Sequence, residues 1–132
     1  MNSLLGEMVK WSKGNLLERR AAAAALCEPR LLCEERHTRR VLHILDSITS
    51  SVQVVENRRS AEFQALKKGL GYCWSVAVAA LPMAGKAEME KWLSSDDREI
   101  VRIMKENLRK KRLERMDANW VRKWNVRLEM QC

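Results

Sequence analysis

The residue types that most often carry chemistry are sparse in this chain, and their spacing decides what each can do. Four cysteines (Cys27, Cys33, Cys73 and Cys132) and two histidines (His37 and His43) are the candidate metal ligands and nucleophiles. No two cysteines form the Cys-x-x-Cys pair of structural zinc and redox sites. Cys33 and His37 are four residues apart, a spacing that a helix places on one face, and Cys27 is the nearest third ligand. A fourth ligand is missing and Pro29 separates Cys27 from the others, so no metal site is expected. In a reducing compartment the cysteines read as free thiols, small and apolar where buried. His37 and His43 are six apart and fall on opposite sides of a helix, which disfavours a joint site. Asp96-Asp97 supplies two carboxylates, the pair that general acid–base chemistry uses. They stand in the turn Ser94-Ser95-Asp96-Asp97, where helix capping accounts for them. Gly69-Leu70-Gly71 lacks the remainder of a phosphate-binding loop, and no Gly-x-Ser-x-Gly elbow occurs. The expectation is a protein without catalytic residues, cofactor or metal.

Charge is the sharper signal. The net charge is +8, and residues 98–132 hold 11 Lys/Arg against five Asp/Glu. At about 100° per residue, Arg98, Arg102, Lys105, Arg109 and Arg112 share one sector of a helix. Ile100, Met104 and Leu108 fall nearly opposite, with Val101 and Ile103 flanking. A line of cations of this kind can track phosphates or an acidic peptide. A solvated helix face that keeps the protein soluble has the same pattern. Trp120 and Trp124, four apart near the C-terminus, are either a cap over the end of the fold or a docking surface, since aromatics are frequent binding anchors.

The elements that must position these residues are helical. Hydrophobic residues make up 46% of the 132 and charged residues 32%, with five Gly and two Pro, a composition that favours helices with short connections. Leu4, Leu5, Met8 and Trp11 recur at helical spacing. Asn15 is a good N-cap for a helix from Leu16 to Cys27, whose alanine run Ala21 to Ala25 permits close approach of a neighbour. Val41, Leu42, Leu45, Ile48 and Val52 define a third helix, from Glu34 to about Val55. Asn57 to Ser60 is a polar loop. A fourth segment runs from Phe63 to Leu81 with Leu70, Trp74, Val78 and Leu81 on one face; Gly69 and Gly71 mark a kink in it or a join between two helices. Met83 to Ser94 is a fifth helix, Glu99 to about Arg112 a sixth, and Asp117 caps a seventh. No run of 18 apolar residues is present, so no transmembrane helix is expected. The N-terminus does not read as a signal peptide, and a cytoplasmic location is expected.

The chain also matches itself. Met8-Val9-Lys10-Trp11 resembles Met89-Glu90-Lys91-Trp92, and in both copies a polar turn and a helix follow, with Arg20 and Leu26 in the first and Arg102 and Leu108 in the second. The tryptophans are 81 residues apart, twice a period near 41. Two helices per period of about 40 is the signature of HEAT-type solenoids, although two short matches also arise by chance. The equivalence predicts that Trp11 and Trp92 both pack between helices. Asp97-Arg98-Glu99-Ile100-Val101-Arg102, continued to Leu108, resembles the HEAT consensus, in which Asp begins a turn and a Val-Arg pair opens the inner helix. Asn15-Leu16-Leu17-Glu18-Arg19-Arg20-Ala21 is similar to the opening of an inner helix in DNA-alkylation-repeat proteins, with Leu17 where that branch often has Trp. The segment Gly69 to Asn107 looks like the closing part of bacterial HEAT-repeat proteins of unassigned role.

What the resemblance implies is an all-α fold: a right-handed α-solenoid of about three HEAT-like helix pairs in a single domain 1–132. The repeats would span about 1–28, 31–81 and 83–113, with a terminal capping helix at 117–130. The function expected of such a surface is a protein-interaction or scaffold module with a protein partner, acidic if the basic stripe is used. The alternative is a nucleic-acid-binding module related to DNA-alkylation-repeat proteins, holding phosphates on Arg98, Arg102, Lys105, Arg109 and Arg112. No membrane partner is expected.

Overall fold

A computed structural model describes residues 2–28 and 32–130. The side chains of Leu4 and Leu5, and all of Pro29 and Cys132, lie outside the described residues. The elements are α1 (Asn2–Ser12), α2 (Leu16–Leu26), α3 (Glu35–Val52), α4 (Ala61–Ala80), α5 (Pro82–Leu93), α6 (Arg98–Leu108), α7 (Lys111–Met116) and α8 (Ala118–Met130). Among the described residues the fold is all-helical, without strands.

Side chains at the helix starts meet the backbone donors that a helix leaves unpaired. Asn15 Oδ1 accepts from the Glu18 amide at 2.9 Å while Glu18 Oε1 accepts from the Asn15 amide at 3.0 Å, a reciprocal capping box. Ser60 Oγ accepts from the Phe63 amide at 3.0 Å. Asp97 accepts from the Glu99 amide at 3.0 Å, and Asp117 from the Trp120 amide at 3.1 Å. α5 opens on Pro82, a residue suited to the first helical turn because its missing N–H has no partner to lose there.

The core is built around α4, which packs on α2, α3, α5, α6 and α7. Phe63, Leu66, Leu70, Trp74, Ala77 and Val78 of α4 are all fully buried. Gly69 and Gly71 do not mark a join between two helices: α4 runs unbroken from Ala61 to Ala80. Two residues apart on a helix is about 200°, so the glycines lie on opposite sides of it. A Cβ on Gly69 would stand 3.5 Å from Arg20 Cγ of α2, and one on Gly71 would stand 3.4 Å from Glu106 Cβ of α6. A Cβ at either position would make an ordinary van der Waals contact, with a different neighbour in each case. Gly85 of α5 is tighter still, because its Cβ would fall 2.6 Å from the Cα of Val78.

Further contacts run α1 on α2 and α3, α2 on α3, α3 on α5, α5 on α6, α6 on α7, and α8 on α6 and α7. The expected single helix from Glu99 to Arg112 is two helices. α6 ends at Leu108, Lys110 takes an extended conformation (φ −75°, ψ 133°), and α7 starts at Lys111. The break redirects the chain so that Leu113 of α7 is completely buried, with α7 lying along α4.

The self-match holds for the apolar positions and fails for one tryptophan. Met8 and Met89 are both buried, as are Leu26 and Leu108. Trp92 is buried and its indole N–H donates to Asp46 Oδ1 at 2.8 Å, but Trp11 is 41% exposed. α5 lies between α6 and α3, which covers the Trp92 ring, whereas nothing among the described residues encloses the Trp11 ring in the same way. The two positions should therefore respond differently. Trp92→Ala is expected to cost about 3–5 kcal/mol of unfolding free energy, as for other buried tryptophans, and Trp11→Ala well under half of that. Urea denaturation of both variants checks the difference, and equal losses would contradict this packing.

Candidate functional site

The five residues of the basic stripe do not stay in one line. Arg98, Arg102 and Lys105 lie on α6 and border a groove of about 450 Å³, which Val101 and Leu128 line with apolar surface and Ser95 and Asp96 close at one end. The groove is the seam between α6 and α8, so the last helix completes a site whose cations come from α6. Arg102 Nη1 lies 3.0 Å from Glu99 Oε1, and the other oxygen of that carboxylate holds Lys67 Nζ at 2.7 Å. Among the described residues neither Arg98 nor Lys105 has a carboxylate within ion-pair distance.

Arg109 and Arg112 are separated from this group. Arg109 follows the last residue of α6 and is bonded to Glu106 Oε1 at 3.0 Å, exposed at the helix end. Arg112 sits beyond the break on α7 and turns to α4, where its guanidinium stacks 4.9 Å from the Tyr72 ring centroid and donates to Tyr72 Oη at 3.1 Å. A stripe that continues past Leu108 requires an unbroken helix, and the extended backbone at Lys110 removes it.

Trp120 and Trp124 do not form a docking surface, because both are buried, at 8% and 3% exposure. Their indole N–H groups both donate to Glu90 Oε2 of α5, at 3.3 and 3.1 Å, so one carboxylate pins α8 across the fold. Arg127 covers the Trp124 ring at 4.8 Å. The exposed apolar residues of α8 are instead Val126 and Met130.

The other candidates resolve as structure. Cys27 is buried and hydrogen-bonded to Cys73 of α4. The hydrogen bond to Cys73, reinforced by burial, raises the Cys27 thiol well above its ordinary value. Among the described residues no three His, Cys, Asp or Glu side chains come together as a metal site would need. His37 Nε2 lies 3.3 Å from Glu34 Oε2, while His43 is exposed on the same helix.

Two polar centres escaped the sequence reading. Arg58, read there as part of a polar loop, forms a two-pronged pair with Asp97, at 2.7 Å (Nη1–Oδ1) and 2.6 Å (Nη2–Oδ2). The same guanidinium donates to the carbonyls of Val52 and Val55, so it closes the C-terminal end of α3 and ties it to the N-terminus of α6. Asn107, fully buried on α6, donates from Nδ2 to the carbonyls of Leu70 at 2.9 Å and Ile103 at 2.8 Å and accepts from the Ser75 amide at 2.8 Å. Each pair spans more than 30 residues of sequence, and no local pattern announces it.

The Arg58 guanidinium, with the backbone donors of Ile100 and Glu99, holds the Asp97 carboxyl below the usual range. Its folded-state pKa thus lies under the unfolded value of about 3.9. A depressed carboxyl contributes stability that is complete above the unfolded value and is lost as pH falls through the folded one. Wild type should therefore exceed Arg58→Gln in urea midpoint at pH 6, with the gap narrowing progressively below pH ~4 as Asp97 takes up a proton. A gap that stayed constant to pH 2 would show that the pair adds nothing through charge.

Among the described residues no helix is long and apolar enough to cross a membrane. In comparisons with known proteins, no family model, no curated protein and no solved structure matches the chain.

Proposed function

We propose that the chain is a non-enzymatic interaction module that takes an acidic segment of a protein partner in the groove between α6 and α8. The observation that carries this is the gathering of Arg98, Arg102 and Lys105 around a concave, partly apolar surface. Guanidinium groups present a planar fork of donors that matches a carboxylate, and two of the three cations are arginines. Val101 and Leu128 supply apolar area against which an intervening aliphatic side chain of the partner packs. Three cations against the single carboxylate of Asp96 leave the groove net positive, which attracts an acidic segment and speeds its association.

The scaffold in this reading is a HEAT-like stack. Three helix pairs, α1–α2, α3–α4 and α5–α6, follow one another in sequence. The first helices of the pairs touch in the order α1, α3, α5, and α4 touches both α2 and α6. Contacts between successive pairs are what a solenoid of about three repeats requires. α8 then closes the last pair and forms the second wall of the groove.

The test is fluorescence anisotropy with a labelled peptide of alternating glutamate and leucine. Arg102→Glu with Lys105→Glu is expected to weaken binding at least tenfold, roughly 1.4 kcal/mol, with the melting temperature unchanged. Arg109→Glu, outside the groove, should leave the affinity near that of wild type. Equal losses for the groove and Arg109 variants would reduce the effect to net charge. Tight, steeply salt-dependent binding of duplex DNA in place of the peptide would move the reading to a nucleic-acid module.

A further inference from the structure

α6 has a second flank. On the side away from α8, between α4 and α6, lies a cleft of about 420 Å³. Three lysines line it, Lys67 and Lys68 of α4 and Lys110 just beyond α6. Its lining includes Gly71 and Ile103, and a Cβ at Gly71 would stand 3.4 Å from Glu106 Cβ.

The charge there is poorly balanced. Glu106 is the one carboxylate that lines the cleft, and it is bonded to Arg109 Nη1 at 3.0 Å. Lys67 is engaged by Glu99 at 2.7 Å from outside the lining. Among the described residues Lys68 and Lys110 have no carboxylate within ion-pair distance. Like charges brought together without a counter-charge repel, and a bound anion relieves that repulsion.

We propose that the cleft between α4 and α6 is a binding site for a phosphomonoester group. The cations choose the ligand. The cations that line this cleft are all lysines, whereas the groove on the other flank carries two arginines. An ammonium is a compact point charge with three rotatable donors, and several of them converge on a small, doubly charged tetrahedral anion without needing its oxygens in one plane. A phosphomonoester carries about −1.5 to −2 near neutral pH and presents three strong acceptor oxygens. The group belongs either to a free phosphate or to a phosphorylated segment of a partner. The inference does not rest on the acidic-partner reading, since it uses other residues and another ligand chemistry.

The full chain is titrated at constant ionic strength with inorganic phosphate, with a phosphoserine peptide and with a single-stranded oligonucleotide, while the amide resonances of Gly71 and Ile103 are followed by NMR. Saturable shifts are expected with the phosphomonoesters. They should weaken at least tenfold in Lys68→Gln/Lys110→Gln, with the melting temperature unchanged, and persist in Lys105→Gln. Saturation by the peptide at a lower concentration than inorganic phosphate assigns the site to a phosphorylated partner, and the reverse order to a free phosphate. The proposal is overturned if shifts grow linearly without saturation, if the double lysine variant binds as wild type does, or if only the oligonucleotide saturates.

Discussion

Replacing Trp74 by alanine is expected to lower the unfolding free energy by about 3–5 kcal/mol. The ring is fully buried at the middle of α4, the helix on which five others pack. Its removal deletes the transfer energy of a large apolar surface and leaves a hole that the surrounding helices close only in part. It also leaves Thr49 without its indole partner, which donates to Thr49 Oγ1 at 2.9 Å. That loss is milder, because the Thr49 hydroxyl still donates to the Leu45 carbonyl at 2.8 Å. Trp74→Phe separates the two contributions, keeping most of the volume and losing the N–H. Urea denaturation should rank wild type above Phe and Phe far above Ala. A Phe variant as weak as Ala would mean that the hydrogen bond, not the packing, dominates at this position.

The second large effect is expected at Asn107. Its amide satisfies three main-chain groups in a region closed to water. Asn107→Leu fills a similar volume but removes the side-chain acceptor of the Ser75 amide and the side-chain donor to the Leu70 carbonyl, both within α4. Losing the bonds of a buried polar side chain puts the expected loss at about 1–3 kcal/mol. Asn107→Asp, at a pH where the carboxyl is neutral, keeps the acceptor for Ser75 and a single O–H donor in place of two N–H donors, and it should fall between wild type and Leu. Denaturant midpoints of the three proteins check the order. A leucine variant as stable as wild type would show that α4 repairs its own hydrogen bonding without Asn107.

These residues also mark how far the sequence could be read. Asn15, Asp97 and Asp117 were legible as caps because a cap acts within three residues of its own position. The buried face of Leu70, Trp74 and Val78 was legible because helical periodicity is local too. The two glycines of α4 were ambiguous for the opposite reason: glycine weakens a helix and permits close packing, and only the neighbour decides between them. The neighbours here, Arg20 and Glu106, lie far away in sequence. Of the basic stripe, Arg98, Arg102 and Lys105 share one flank of α6, and Arg109 and Arg112 are separated from them. No Gly or Pro announces the break at Lys110, and burial of Leu113 on α4 is a tertiary demand. The tryptophan pair of α8 was recognisable as a unit, but its burial depends on Glu90, about 30 residues upstream. Trp11 shows the limit of the self-match. Equivalent positions in two copies share a helix face, and whether a further layer covers that face depends on where the copy stands.

Glu90 has a consequence for how the end of the molecule responds to substitution. A single oxygen accepts from both Trp120 and Trp124. Deleting either indole leaves the acceptor occupied by the other, so neither deletion strands a polar group. Deleting the carboxylate strands two donors at once. The three side chains therefore form an asymmetric triangle in which the smallest member is the least replaceable. Changes at the two tryptophans do not add, because each indole's share of the acceptor depends on whether the other is present.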